Sequence, residues 1–196
     1  EWFLPKNLNK LEGMLDMYAN RYVDKMYSLG GQCDFARDIA MMFPLNVILS
    51  ILGLPESDYG RMLTLTQEMF GAQDEDMQRG SDPIDIIAVI QDFFVYFTKL
   101  TEERRANPTD DMASVVANAR INGEELSMIQ TISYYVITAT AGHDTTASAI
   151  AGGMHALIEN PDQLARLKND LSLLNTAADE IIRWVTPVKH FMRTAT

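Results

Sequence analysis

The sequence predicts a mainly α-helical fold with a long central helix and minor β structure. Three observations predict it. Apolar residues recur in threes and fours along almost the whole chain, which is the spacing of an amphipathic helix. No strand–helix–strand alternation appears, which argues against a doubly wound sheet. One stretch, Glu124 to about Glu159, keeps the helical pattern until Asn160-Pro161 stops it; it would run roughly 50 Å at ~1.5 Å per residue.

The other elements follow in chain order. Leu8, Leu11, Leu15, Tyr18 and Tyr22 form one apolar stripe, and Gly30-Gly31 ends that helix. Phe35 to Leu52 reads as a buried helix, with Pro44 in its first turn or at a kink and Gly53-Leu54-Pro55 as its stop. Ser57 is placed to cap the next helix, to about Phe70. Gly71 to Pro83 sets Asp74, Glu75, Asp76 and Asp82 against Arg79 alone and reads as a solvated loop. Ile87, Ile90, Phe94 and Phe97 line a long helix ending near Asn107-Pro108. Asp110 to Ala119 forms a short helix, and Asn122-Gly123 turns a small hairpin around Ile121. After the long helix, Asp162 to Asn169 is a short helix. Thr176 caps another, with Asp179 in the reciprocal third position. Pro187 closes it, and Lys189 to Thr196 reads as extended.

Composition bounds the function. A chain of 196 residues makes one domain the default. The net charge of −11 argues against a general nucleic-acid binder, which needs a basic face, and against docking on anionic membranes. Hydrophobic residues at 47% with 22% charged exclude global disorder. The single cysteine, Cys33, excludes an internal disulfide and a multi-Cys metal site. It has no activating neighbour and reads as a small buried residue. No stretch reaches the length of a membrane span; the uncharged run Leu126 to Gly142 carries Ser127, Gln130, Thr131, Ser133, Thr138 and Thr140 and reads as a buried helix. No signal peptide opens the chain, and a cytoplasmic setting fits.

The most informative segment is Ala141-Gly142-His143-Asp144-Thr145-Thr146, inside the expected long helix. Gly142 costs about 1 kcal/mol there relative to Ala. Thr145 and Thr146 are poor helix formers, and Asp144 sets a charge in an apolar run. Such a break in helix rules suggests a place where a ligand meets the backbone and where a hydroxyl and a carboxyl act together in proton delivery. The plainer reading is a buried helix with a polar interruption, and alone the segment does not decide between them. Glu180 and Arg183 stand three apart on one helical face, which by itself reads as a surface ion pair. His143, His155 and His190 lack metal-ligand spacing and read as ordinary core or surface histidines. Gly152-Gly153 reads as a close helix-packing point.

Taken together, Ala-Gly-His-Asp-Thr-Thr and the Glu180-Ile181-Ile182-Arg183 run that starts 36 residues after Asp144 resemble the cytochrome P-450 superfamily of haem-thiolate monooxygenases. In that family a long central helix carries (A/G)Gx(D/E)T(T/S) and a later helix carries ExxR. The wording around Ala141–Thr146 and Val188–Thr196 looks closest to the soluble bacterial terpineol-hydroxylating group. The resemblance covers essentially the whole chain but about the middle half of a family member. Residues 1–196 are then a single incomplete domain, with the amino-terminal sheet absent and the iron-ligating Cys expected beyond Thr196.

The resemblance implies roles residue by residue. Asp144 and Thr145 resemble the acid–alcohol pair that delivers protons during oxygen activation. Ala141 and Gly142 resemble the points where the helix passes over the haem. Pro187, Val188 and Phe191 fall where the chain runs beside the haem, and Arg193 matches a position that meets a propionate. Ala141, Val188, Phe191 and Tyr134 would line the substrate pocket, with Phe70, Ile87 and Phe94 as weaker candidates. Glu180 and Arg183 resemble the structural pair. The implied cofactor is haem b (iron protoporphyrin IX), with an axial thiolate that favours O–O cleavage. The implied partners are O2, a small hydrophobic substrate and an iron–sulfur ferredoxin with an NAD(P)H-dependent reductase. Two other readings stand beside it: a non-catalytic helical scaffold that keeps the fold core without haem, and an unrelated helical ligand-binding domain.

Overall fold

The computed structural model describes residues 9–70 and 83–190. The expected acidic loop after Gly71, Leu8, and the segment from Phe191 onward lie outside the described residues. The elements are α1 (Glu12–Ser28), a π-helical segment (Phe35–Ala40), α2 (Met42–Leu52), α3 (Tyr59–Phe70), α4 (Pro83–Ala106), α5 (Met112–Ala117), β1 (Arg120–Ile121), β2 (Glu124–Glu125), α6 (Met128–Ala141), α7 (Asp144–Glu159), α8 (Pro161–Asn169) and α9 (Leu174–Val185). The fold is mainly helical, as the periodicity predicts. It divides into two compact units, one of Glu1–Tyr18 with Leu45–Gly142, the other of Ala19–Pro44 with His143–Thr196.

The first unit is built on aromatic packing. Phe93 and Phe97 stack at 5.9 Å, and Phe97 meets the Tyr135 ring at 5.3 Å. Tyr135 is fully buried, so its hydroxyl needs a partner; it donates to the Ala113 carbonyl at 2.7 Å. Burial pushes its pKa up to about 12. One side chain therefore ties α6 to α4 and α5. The buried stripe of α4 is Val89, Phe93, Phe97 and Leu100, whereas Ile87, Ile90 and Phe94 are exposed. Of the expected stripe only Phe97 faces inward. Both stripes are apolar at helical spacing, so periodicity alone could not choose between them.

Polar clamps fix the helix ends. The guanidinium of Arg104, nearly buried, donates to Asp111 Oδ2 at 2.8 Å and to the Gly53 carbonyl at 2.9 Å. Arg105 donates to the carbonyls of Ala117 and Leu126. Asp111 Oδ1 also accepts from the Ser114 N–H at 2.7 Å, capping α5. Gly53 has a φ of +81°, and a Cβ there would run into the Asp111 side chain; this turn needs glycine twice over. Asn122 and Gly123, at φ 54° and 86°, turn the antiparallel pair that matches Ile121 with Glu124. The expected hairpin is present, with the two left-handed residues of a type I′ turn.

In the second unit Tyr22 packs edge-on to Phe43 at 5.9 Å. Lys25 Nζ donates to the Asp38 carbonyl at 2.9 Å. A Cβ on Gly152 would sit 2.7 Å from Val185, and one on Gly153 2.6 Å from Ile181. The pair is a close-packing point for α9 on α7, as the sequence suggests.

Several local expectations are corrected. The long helix is two helices: β2 and a Ser127–Gln130 capping box precede α6, and residues 142–143 interrupt the rest. Phe35 to Leu52 is a π-helical segment and an α-helix divided at Met41, with Pro44 in the first turn of α2, where its missing N–H costs nothing. Ser57 does not cap α3; its hydroxyl goes to Asp58 Oδ1, and a 3-10 turn (Glu56–Asp58) leads in. Thr176 lies inside α9, which grows from a 3-10 turn (Leu171–Leu173) capped by Asp170. Cys33 is exposed, not buried. Phe35–Leu52 is long and apolar enough to cross a membrane by length and composition, contrary to expectation; half of it is buried inside the protein, as in a core helix.

Burial pushes the Asp111 pKa up, but hydrogen bonds from Thr109, from the backbone and side chain of Ser114 and from Arg104 outweigh it and hold the carboxyl below its usual value of 3.8. A carboxylate with a lowered folded pKa stabilises above its unfolded value and loses that contribution as pH falls through the folded one. Asp111→Ala removes a cap and strands Arg104, and is expected to cost about 2–4 kcal/mol in urea denaturation at neutral pH. The difference from the parent should shrink below about pH 4. A loss under about 0.5 kcal/mol would contradict this clamp.

Candidate functional site

The Ala141–Thr146 run sits at a break between two helices. α6 ends at Ala141, with the Gly142 N–H donating to the Thr138 carbonyl at 3.3 Å. Gly142 has φ −79° and ψ −13°, and His143 has φ −95° and ψ −74°. Helical bonding resumes with the Ala147 N–H on the His143 carbonyl at 2.9 Å. Of the residues that break helix rules in the sequence, Gly142 lies at the break, and Asp144, Thr145 and Thr146 form the first turn of the helix that follows it.

Gly142 owes its identity to packing. A Cβ there would lie 2.8 Å from Ile48 Cγ1 and 2.9 Å from its Cδ1, so the space is taken by Ile48 from α2. The small outward-facing residue is Ala141, which is exposed. On the same helix Tyr134 and Ile137 are 50% and 60% exposed. Residues 134, 137 and 141 follow helical spacing and make one open apolar face.

His143 is fully buried. Its Nε2 lies 2.9 Å from the Met41 carbonyl, and its Nδ1 lies 3.3 Å from Asp144 Oδ1. Asp144 is half-exposed. Burial raises the Asp144 pKa, opposed by the imidazole; burial lowers that of His143, opposed by Asp144 and the Met41 carbonyl. Thr145 is half-buried in the first turn of α7. A carboxyl held toward its neutral form next to a hydroxyl residue has the chemistry to give and pass on a proton.

The remaining predicted residues fall elsewhere. Pro187 is half-buried and Val188 exposed after α9. Phe191 and Arg193 lie outside the described residues, as does the Phe70 side chain. Ile87 and Phe94 are exposed on α4. Glu180 and Arg183 form a bidentate, exposed ion pair with both contacts at 2.6 Å. The Arg183 bonds hold the Glu180 carboxyl below its usual range. Glu180 also edges a cavity of about 340 Å³ among α7, α8 and α9, lined by Leu157, Leu173, Ile181 and Trp184. That cavity shares no residue with the Ala141–Thr146 run. Sequence reading missed the parts of Ile48, Met41 and His143; a fully buried histidine in an apolar run leaves no pattern to find.

No protein-family profile matches the chain. Individual proteins do. The chain is 41% identical over 202 residues to cytochrome P-450-terp of a Pseudomonas species, across 99% of this chain and 47% of that protein. The chain belongs to the cytochrome P-450 family. It is 34% identical to the methyl-branched lipid omega-hydroxylase of Mycobacterium tuberculosis, over 99% of this chain and 46% of that protein. Among solved cytochrome P-450 folds, CYP108D1 of Novosphingobium aromaticivorans superposes with a TM-score of 0.85 at 46% identity, covering 99% of this chain and 45% of that one. The chain thus spans about half the length of the curated relatives it matches.

Cytochrome P-450 membership implies a haem. The open face of α6 suits a flat apolar macrocycle: Ala141 presents only a methyl, and Tyr134 and Ile137 extend the apolar surface. Gly142 offers no cradle on its Cα side, because Ile48 fills it.

Gly142→Ala gains helix propensity but forces its methyl onto a buried isoleucine. We expect a net loss of about 1–2 kcal/mol, with Ile48→Ala, which removes both Cγ1 and Cδ1, showing a coupling of at least half of it in a double-mutant cycle. Zero coupling between the two substitutions would show that Ile48 is not what fills the space.

Proposed function

We propose that the protein carrying this chain is a haem-dependent monooxygenase that inserts one atom of O2 into a C–H bond of a small hydrophobic substrate. Its electrons come from an iron–sulfur ferredoxin with an NAD(P)H-dependent reductase, and it works in the cytoplasm. One observation carries this reading: an apolar helix is interrupted at Gly142–His143, and Asp144 and Thr145 stand at the start of the new helix. Family membership and the relatives' printed activities as hydroxylases and monooxygenases support it. When bound, iron protoporphyrin IX would supply the oxygen-activating chemistry.

This chain's own residues hold and move protons and shape the pocket. Asp144, kept toward its protonated form by burial, gives a proton at Oδ1 or Oδ2. The Thr145 hydroxyl passes it on as donor and acceptor. Ala141 leaves room for the macrocycle and substrate. Tyr134 and Val188 line the substrate side. Pro187, Phe191 and Arg193 are assigned to the haem edge on the resemblance, Arg193 at a propionate. Glu180 and Arg183 brace α9.

The test is coupling in the full-length protein with its redox partners. Thr145→Ala should divert most reducing equivalents into hydrogen peroxide, while the substrate dissociation constant stays within about twofold. Unchanged product yield per NAD(P)H would remove Thr145 from the proton path.

A further inference from the structure

We infer that His143 is a positioning residue for Asp144: clamped by the Met41 carbonyl, it turns its Nδ1 to the Asp144 carboxyl, and the two groups hold one proton between them. The inference deepens the proposed role of Asp144 as a proton donor and rests on it.

The argument starts from what a carbonyl can do. An oxygen of the Met41 backbone only accepts, so His143 Nε2, 2.9 Å away, must carry the proton of that bond. A neutral imidazole with its proton on Nε2 has a bare lone pair at Nδ1. Nδ1 has no hydrogen-bond partner among the described residues, and Asp144 Oδ1, 3.3 Å away, is the ionisable group within reach of it. A buried nitrogen left without a partner is costly, and a carboxylate oxygen near its lone pair adds repulsion. A single proton between them removes the conflict, whether written as neutral imidazole with a carboxylic acid or as imidazolium with carboxylate. Burial favours the uncharged form of both groups.

The clamp belongs to packed structure. His143 is 0% exposed, and Met41 closes the π-helical segment, whose own cap bond runs from the Met41 N–H to the Ala36 carbonyl. The two carboxylates beside it are engaged locally: Asp38 accepts from the Asp34 N–H, and Asp34 accepts from the Arg37 backbone N–H. Asp144 is the charged group that acts on His143, opposing the effect of burial. The imidazole fixes one carboxyl oxygen, and the other, on the half-exposed carboxyl, can take a proton from solvent and pass it on while the shared proton rests on Nδ1. A carboxyl that relays a proton in one direction gains from being held at its other oxygen.

The test is nitrogen-15 NMR of histidine-labelled full-length protein, reduced and saturated with carbon monoxide so that the iron is diamagnetic. His155, exposed on α7, is the internal reference. The expected His143 signature is a protonated Nε2 and an Nδ1 resonance that moves when Asp144→Asn is introduced, while His155 does not move. An Nδ1-protonated neutral tautomer, or an Nδ1 resonance indifferent to Asp144→Asn, overturns the proposal. Two further variants separate the arms: His143→Gln keeps an amide N–H near the Nε2 position, and His143→Asn keeps polar reach toward Asp144. His143→Asn should retain more of the parent's coupling of product to NAD(P)H than His143→Gln, with substrate affinity equal in both. Equal coupling in the two variants also overturns it. The NMR readout needs no substrate or turnover. If Nδ1 answers to Asp144 but Thr145→Ala leaves coupling intact, the functional reading fails and the pair stands.

Discussion

A fully buried imidazole must satisfy two nitrogens without water, and at His143 that requirement governs the geometry around it. Its Nε2 is committed to the Met41 carbonyl, so the backbone at residue 143 is tied to the end of the π-helical segment. The His143 backbone, with ψ −74°, stays in the right-handed helical region, but residues 142 and 143 belong to neither helix. α7 starts afresh at Asp144, which places a carboxyl and then a hydroxyl in a first turn. The N-terminal end of a helix favours negative charge, so even a half-buried carboxyl is tolerated at that position.

The break is held within each compact unit by close packing. Ile48 fills the space that a side chain at 142 would need, and the Phe93–Phe97–Tyr135 cluster fixes α6 against α4 and α5. In the second unit Ile181 and Val185 press onto Gly152 and Gly153. These glycines are places where another element takes the volume of a Cβ, and their cost in helix propensity is offset by the contact they allow.

The fold class was legible because it rests on hydrophobic spacing, and so were the hairpin at Asn122-Gly123 and the Pro44 turn, which rest on backbone chemistry. The site was half legible. Gly142, Asp144, Thr145 and Thr146 each violate a helix preference; Gly142 falls in the interruption and the other three in the helical turn just after it. What the sequence could not show is why. Ile48 lies 94 residues before Gly142 and Met41 102 residues before His143, and a contact across that separation leaves no local pattern. The α4 stripe failed for a different reason: Ile87, Ile90 and Phe94 are as apolar as Val89, Phe93 and Leu100, so only tertiary packing could choose the buried face. The caps at Ser57 and Thr176 failed because 3-10 turns preceded both helices and moved their starts.

The candidate site depends on the interruption of the helix at Gly142 and His143. Backbone carbon-13 shifts of the full-length protein between residues 128 and 159 test it most directly. Helical shifts up to Ala141, a fall toward non-helical values at Gly142 and His143, and helical shifts again from Asp144 are predicted. Uninterrupted helical shifts across all of these residues would contradict it.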